Sequence, residues 1–306
     1  MKKYVIVWAV FLAVVLLLYG GGAGKAQNDG MIIPEECYKN TLAETGISEI
    51  VSIGTLPLPP YVAPDGWYVP RFTTGAVSGG DYNLVPEVMG LKVYYVQKKF
   101  KLSPERWGYY RDETISKVAS FQKKNGIKPT GNVNLETWLA LGFDEKSWNE
   151  LGIYITPVKI NEKTTREEMI NVFIDTAKEY LGTPYVVGAA GKPGEGVDCS
   201  GLILQCLYAI GIYPDGLDPV QHSTLEEYNS RLMWADKKFK KVSYSELEAG
   251  DLVFYRRPWS NKVCHAAIYL GENKCIEALK DKVEILPLDK AYNDYAIMGY
   301  KRVIAD

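Results

Sequence analysis

Histidine is nearly missing from this chain: among 306 residues there are only His222 and His265. Any chemistry that needs an imidazole therefore has two candidates. The five cysteines, Cys37, Cys199, Cys206, Cys264 and Cys275, contain no C-x-x-C pair, so with so little histidine a zinc site is disfavoured. Charge of one sign is lacking too: 35 Lys and Arg stand against 37 Asp and Glu, a formal net charge of -2, which gives no reason to expect a nucleic-acid partner. There is no internal repeat. No cofactor is expected.

A single long apolar run is present, Tyr4 to Tyr19, preceded by Met1-Lys2-Lys3 and followed by Gly20 to Ala26. The run is shorter than the roughly 20 residues of a membrane span. With Gly24 and Ala26 as a small-x-small site, residues 1–26 read as a signal peptide. The alternative is a retained anchor. The expectation is a secreted protein, extracellular or associated with the cell wall, with no stable membrane span after cleavage. Export permits disulfides. Cys206 lies seven residues from Cys199 along one predicted helix, about 10 Å, too far to bridge. Cys264 and Cys275 differ in parity on neighbouring strands, so no structural disulfide is expected.

Residues 27–85 carry six prolines (Pro34, Pro57, Pro59, Pro60, Pro64, Pro70) and no sustained apolar period, which predicts an extended linker. Its aromatics, Tyr61, Trp67, Tyr68, Phe72 and Tyr82, suit packing on a neighbour. Residues 86–150 show three helical patterns, at Leu91, Val93, Val96, Phe100; at Ile115, Val118, Phe121, Gln122; and at Leu135, Trp138, Leu139, Leu141. Asp112 and Asn134 are the candidate caps of the second and third. From residue 160 to 306 a third region follows, with a capping box, Thr165-Arg-Glu-Glu168, ahead of an amphipathic pattern that Gly182 and Pro184 stop. Helices first and antiparallel strands afterwards predict an α+β domain behind a small all-α one.

The chemistry centres on Tyr185 to Leu207. A glycine-rich loop (Gly188, Gly191, Gly194, Gly196) leads to Asp198-Cys199-Ser200-Gly201 and then an apolar helix. Asp198 is a plausible N-cap. Cys199 falls in the first turn, where the dipole and the unpaired amides favour a thiolate. The alternative is a small buried residue at a helix start. His265 opens the strand-like run Cys264 to Gly271, next to another, Gly250 to Tyr255, while His222 has no strand pattern around it. Across the Gly271–Lys274 turn, Glu277 on the run Cys275 to Leu279 can share a face with His265 and hold its ring. That gives a nucleophile, a base and an orienting acid: Cys199, His265 and Glu277.

These residues resemble the NlpC-type cell-wall cysteine peptidases, papain-like enzymes that cut peptidoglycan stem peptides. The resemblance rests on Gly182-Thr-Pro-Tyr185, Asp198-Cys-Ser-Gly201, Gly250-Asp-Leu-Val-Phe254 and His265-Ala-Ala-Ile-Tyr-Leu-Gly271, in the family's order over about residues 166–304. It implies Cys199 as nucleophile and His265 as base. Glu277 occupies the third polar position, where the family more often has histidine. Tyr185, Asp198 and Ser200 match positions lining the substrate side of the cleft; the plainer roles are a packing tyrosine, a cap and a first-turn serine. Residues 86–150 resemble the three-helix peptidoglycan-binding module, through Val118-Ala-Ser-Phe-Gln122, Gly126-Ile127, Thr130-Gly131, Val133 and Thr137-Trp138. They depart from it between Phe100 and Thr114. What the resemblance implies is a secreted, monomeric murein endopeptidase, with peptidoglycan as partner and a γ-D-glutamyl to diamino acid bond as target. A non-catalytic wall-binding protein, or an amidase or acyltransferase on the same scaffold, are the rival readings. All the chemistry is expected after residue 166, so the module is expected to serve retention on the wall more than cleavage.

Overall fold

The computed structural model describes residues 61–62, 68–69, 83–103, 107–152, 154–212, 229–289 and 295–304. The expected signal peptide, most of the expected linker, Cys37 and His222 lie outside the described residues. Inside the linker stretch, β1 (Tyr61–Val62) pairs antiparallel with β2 (Tyr68–Val69). Among the described residues no helix is long and apolar enough to cross a membrane.

The three apolar patterns of the module become α1 (Leu91–Lys99), α2 (Asp112–Lys124) and α3 (Leu135–Ala140). Asn134 caps α3 by accepting from the Thr137 amide. Asp112 does not cap α2. Arg111 holds that position without a side-chain cap, and Asp112 and Glu113 sit in the first turn, where the positive end of the helix dipole favours carboxylates. A fourth helix, α4 (Glu145–Glu150), follows; Asp144 caps it, and its Trp148 packs edge-on to Trp138 with 5.6 Å between centroids. Leu84, Val93, Val96, Tyr110, Val118, Val133, Trp138 and Trp148 form the core of the module. The buried Gln122 ties it together, accepting from the Gly131 amide (2.9 Å) and donating to the Asn132 carbonyl (2.7 Å) and the Thr137 hydroxyl (3.1 Å). Polar side chains buried this deeply persist only when fully bonded, which is why Gln122, Gly131 and Thr137 occur as a set.

The second domain begins with α5 (Arg166–Glu179), which carries the capping box between Thr165 and Glu168. Then come α6 (Cys199–Ala209), buried along its whole length, and α7 (Ser230–Ala235). Six strands, β3 (Lys240–Val242), β4 (Leu252–Arg256), β5 (Val263–Gly271), β6 (Lys274–Leu279), β7 (Lys282–Pro287) and β8 (Ala296–Arg302), form one antiparallel sheet in the order β3-β8-β4-β5-β6-β7. This is the expected α+β arrangement. Phe254, Ala266, Ile268 and Ile276 pack with Phe173, Leu202, Ile203 and Leu207 of α5 and α6. The opposite face buries Val253, Tyr255, Ala267, Cys275 and Leu279 in a separate cluster. The acid of the Gly250-Asp251 motif is structural. Asp251 is buried and accepts from the guanidinium of Arg302 (3.0 and 3.1 Å) and from the Glu248 amide (3.0 Å).

The two domains are not separate bodies. Leu91 and Tyr94 of α1 form one buried cluster with Val186 and Ala189 of the loop ahead of Cys199, and Trp107 packs against it. The Val187 amide donates to the Trp107 carbonyl (3.2 Å). Gly108 makes the approach feasible: its φ is +95°, and a Cβ there would stand 2.4 Å from the Val187 carbonyl oxygen.

Candidate active site

Cys199 is the first residue of α6 and is 8% exposed. Asp198 caps the helix, accepting from the Gly201 amide (2.8 Å) and the Ser200 hydroxyl (2.7 Å); its other oxygen accepts from the Gly188 amide (2.9 Å). Both of its oxygens are therefore engaged in holding the loop and helix. Gly201 has to be glycine, because a Cβ there would lie 2.1 Å from the Ala189 carbonyl oxygen. Gln205, one turn further, donates to the carbonyls of Ala190 (2.5 Å) and Tyr154 (2.8 Å) and accepts from the Thr156 amide (2.8 Å). Loop and helix are thus locked at two levels, which fixes the position of the Cys199 sulfur.

The sulfur lies against β5. The β5–β6 ladder runs from Gly271 and Lys274 to Ile268 and Ile276. Beyond that point the backbone amides of Ala266 and Ser200 lie near enough to the Cys199 sulfur to favour its anion. His265 is the next residue back along β5 and is 1% exposed. Its Nε2 bonds Oε2 of Glu277, which is fully buried on β6. Alternation from Ala267 and Cys275 puts both side chains on the same sheet face. Tyr255, paired with His265 in the β4–β5 register, lies 5.5 Å from its ring, and Tyr295 lies 6.0 Å away on another side. Among the described residues the other oxygen of Glu277 has no hydrogen-bond partner. Its bond to Nε2 leaves Nδ1 as the ring nitrogen available to other groups.

Burial, then the Asp198 carboxylate, push the Cys199 thiol well above the usual cysteine range, while the Ala266 and Ser200 amides pull the other way. This differs from the thiolate expected of a first-turn cysteine. The helix terminus favours the anion, but desolvation outweighs it in a site this closed. Burial in this site therefore works toward the neutral thiol and against the thiolate.

The structure brings Cys199, Tyr185, Asp198 and Ser200 together and sets His265 and Glu277 on the strands beside them; His222 lies outside the described residues. Tyr185 is half-buried, and its phenol is pushed up by burial and then by Cys199, Asp198, Tyr109 and Tyr295. The described cysteines, Cys199, Cys206, Cys264 and Cys275, are all free. Sequence reading missed Tyr255 and Tyr295, whose rings flank His265. Pairing the two strand-like runs would have put Tyr255 beside His265.

Residues 182–302 match the NlpC/P60 family, and residues 91–141 match the family described as "Putative peptidoglycan binding domain". The gamma-DL-glutamyl hydrolase of Bacillus subtilis (strain 168) is 31% identical over 131 residues, 42% of this chain and 28% of that protein. The murein DD-endopeptidase MepH of Escherichia coli (strain K12) is 27% identical over 207 residues, 62% and 72% of the two chains. The bifunctional muramidase/DL-endopeptidase CwlT of Bacillus subtilis (strain 168) is 25% identical over 195 residues, 60% and 54%. Cys199, His265 and Glu277 thus lie within a domain of the NlpC/P60 family, which this chain carries behind a peptidoglycan-binding domain.

Proposed function

We propose that the chain is a peptidoglycan stem-peptide endopeptidase that uses Cys199 as nucleophile, His265 as base and Glu277 as the residue that positions the histidine. The observation that carries this reading is the buried His265–Glu277 pair one residue from the Ala266 amide that lies near the Cys199 sulfur. In an all-structural core a histidine and a glutamate this deeply buried have no purpose that a hydrophobic pair would not serve at less desolvation cost.

The thiol proton passes to Nδ1 of His265 as the sulfur attacks the scissile carbonyl carbon. The amide of Cys199, at a helix start with no intrahelical partner, is the proposed donor to the oxyanion. His265 returns the proton to the leaving amine, and an acyl-thioester remains. Water, deprotonated by His265, then releases the acid and restores the thiol. Glu277 accepts from Nε2–H, holds the ring orientation and stabilises the imidazolium. The γ-D-glutamyl to diamino acid bond is the proposed target, supported by the motif resemblance and by the printed activities of the two Bacillus subtilis relatives. The work is done outside the cell by a secreted monomer whose helical module holds the wall.

Rates on a soluble stem peptide test the assignment. Cys199→Ser is expected to abolish hydrolysis and His265→Ala to lower it at least about a thousandfold, both with unchanged thermal unfolding. Hydrolysis surviving in Cys199→Ser would sink the assignment.

A further inference from the structure

The strands β4 and β5 are joined by residues 257–262, between the paired Arg256 and Val263. His265 follows Val263 by two residues, so the loop opens about 7 Å along the strand from the base. One side chain fastens this loop. Nη1 of Arg256 donates to the carbonyls of Arg257 (3.4 Å), Pro258 (3.1 Å) and Ser260 (3.4 Å). The Ser260 amide closes a turn on the Arg257 carbonyl (3.0 Å), and the Ser260 hydroxyl accepts from the Lys262 amide (3.1 Å).

What the fastened loop presents is Trp259. At 74% exposed, it is the most exposed large hydrophobic side chain among the described residues. Arg257 and Lys262 are exposed on either side of it, and no Asp or Glu occurs between Asp251 and Glu272. An indole held out in water by a fixed loop loses hydrophobic stabilisation that a ligand covering the ring restores. Flat, apolar on its faces and flanked by cations, the ring suits the C–H face of a sugar in an acidic polymer. The substrate read above is an acidic peptide that hangs from a glycan strand.

We propose that Trp259 is a sugar-binding residue of the peptidase domain, stacking on the glycan strand that carries the stem peptide being cut, with Arg257 attracting the acidic stem. This rests on the endopeptidase reading above. Each extended stem residue spans about 3.5 Å, so a bond cut a few residues from the glycan leaves a sugar within reach of a loop that ends two residues from His265. The contact belongs to the same hairpin as the base and therefore acts on cleavage itself, through KM.

The test compares a bare stem peptide with the same peptide carrying its disaccharide. Wild type is expected to favour the disaccharide peptide at least about fivefold in kcat/KM. Trp259→Ala is expected to bring the two within about twofold by raising KM for the disaccharide peptide, whereas damage to the fold lowers both rates and leaves their ratio. Trp259→Tyr, which keeps a ring, is expected to keep a preference of at least about threefold. An active wild type without the preference, or a preference unchanged in Trp259→Ala, overturns this inference alone. So does an unchanged preference accompanied by lost binding to vesicles of anionic phospholipid, which would assign the loop to a membrane surface. A wild type that cleaves neither peptide overturns the endopeptidase reading and this inference with it.

Discussion

A sulfur, an imidazole and a carboxylate, all nearly removed from water, place opposite demands on one another. Burial raises Cys199, so a proton has to leave the sulfur before it can react. With burial holding the folded thiol above its unfolded value, the thiolate gains as pH rises. Alkylation of Cys199 by iodoacetamide, followed by mass spectrometry of its peptide, is expected to accelerate continuously from pH 6 to 9; a plateau through that range would mean a standing thiolate. Glu277→Gln is expected to retain measurable turnover with a shifted pH profile, since an amide oxygen still accepts from Nε2–H, while Glu277→Ala loses more. Unchanged rates and profiles in both variants would make Glu277 a bystander. At this scale the pairing of His265 with Glu277 across a hairpin was legible in the sequence, and the structure bonds the two. Burial was not legible, because the first-turn position of Cys199 says nothing of what covers it. Asp198 and Ser200 matched substrate-lining positions by motif, yet in the structure they bond each other and the loop backbone.

Elements position these groups through close backbone contacts. The helix carrying Cys199 approaches Ala189 so nearly that Gly201→Ala is expected to destabilise the protein by about 1–3 kcal/mol or more, since the obstacle is a carbonyl oxygen and not a flexible side chain. Thermal unfolding checks it, and an unchanged midpoint would show that the loop yields freely. The helices α1, α2, α3, α5 and α6 follow from apolar spacing and caps, and the β5–β6 hairpin from its turn. The short α4 was missed because six residues hold too few apolar positions to show a period; only the Asp144–Ser147 cap announced it. The cap of α2 was misplaced by one residue, since an acid in a first turn and an acid at a cap look alike in sequence.

At the scale of the whole molecule, the helical domain and the peptidase domain share the buried cluster of Leu91, Tyr94, Val186 and Ala189. This changes what removing the module does. With the chemistry expected wholly after residue 166, deletion would spare soluble substrates; with Trp107 and Gly108 anchored on Val187, deletion strips one support from the loop ahead of Cys199. Deleting residues 86–150 is expected to lower the unfolding temperature and the rate on soluble peptides as well as retention on sacculi. A fragment as active as the whole chain would restore the separable module. The sequence could not show this contact, because nothing local in Trp107-Gly108-Tyr109 distinguishes a ligand groove from a surface that docks on a second domain. The central claim, that Cys199 cuts a peptide bond of the wall, is tested most directly by mass spectrometry of stem peptides from sacculi digested with wild type beside Cys199→Ala. The account predicts new fragments ending at the γ-D-glutamyl unit with wild type and none with the variant; the same fragments from both proteins, or from neither, would contradict it.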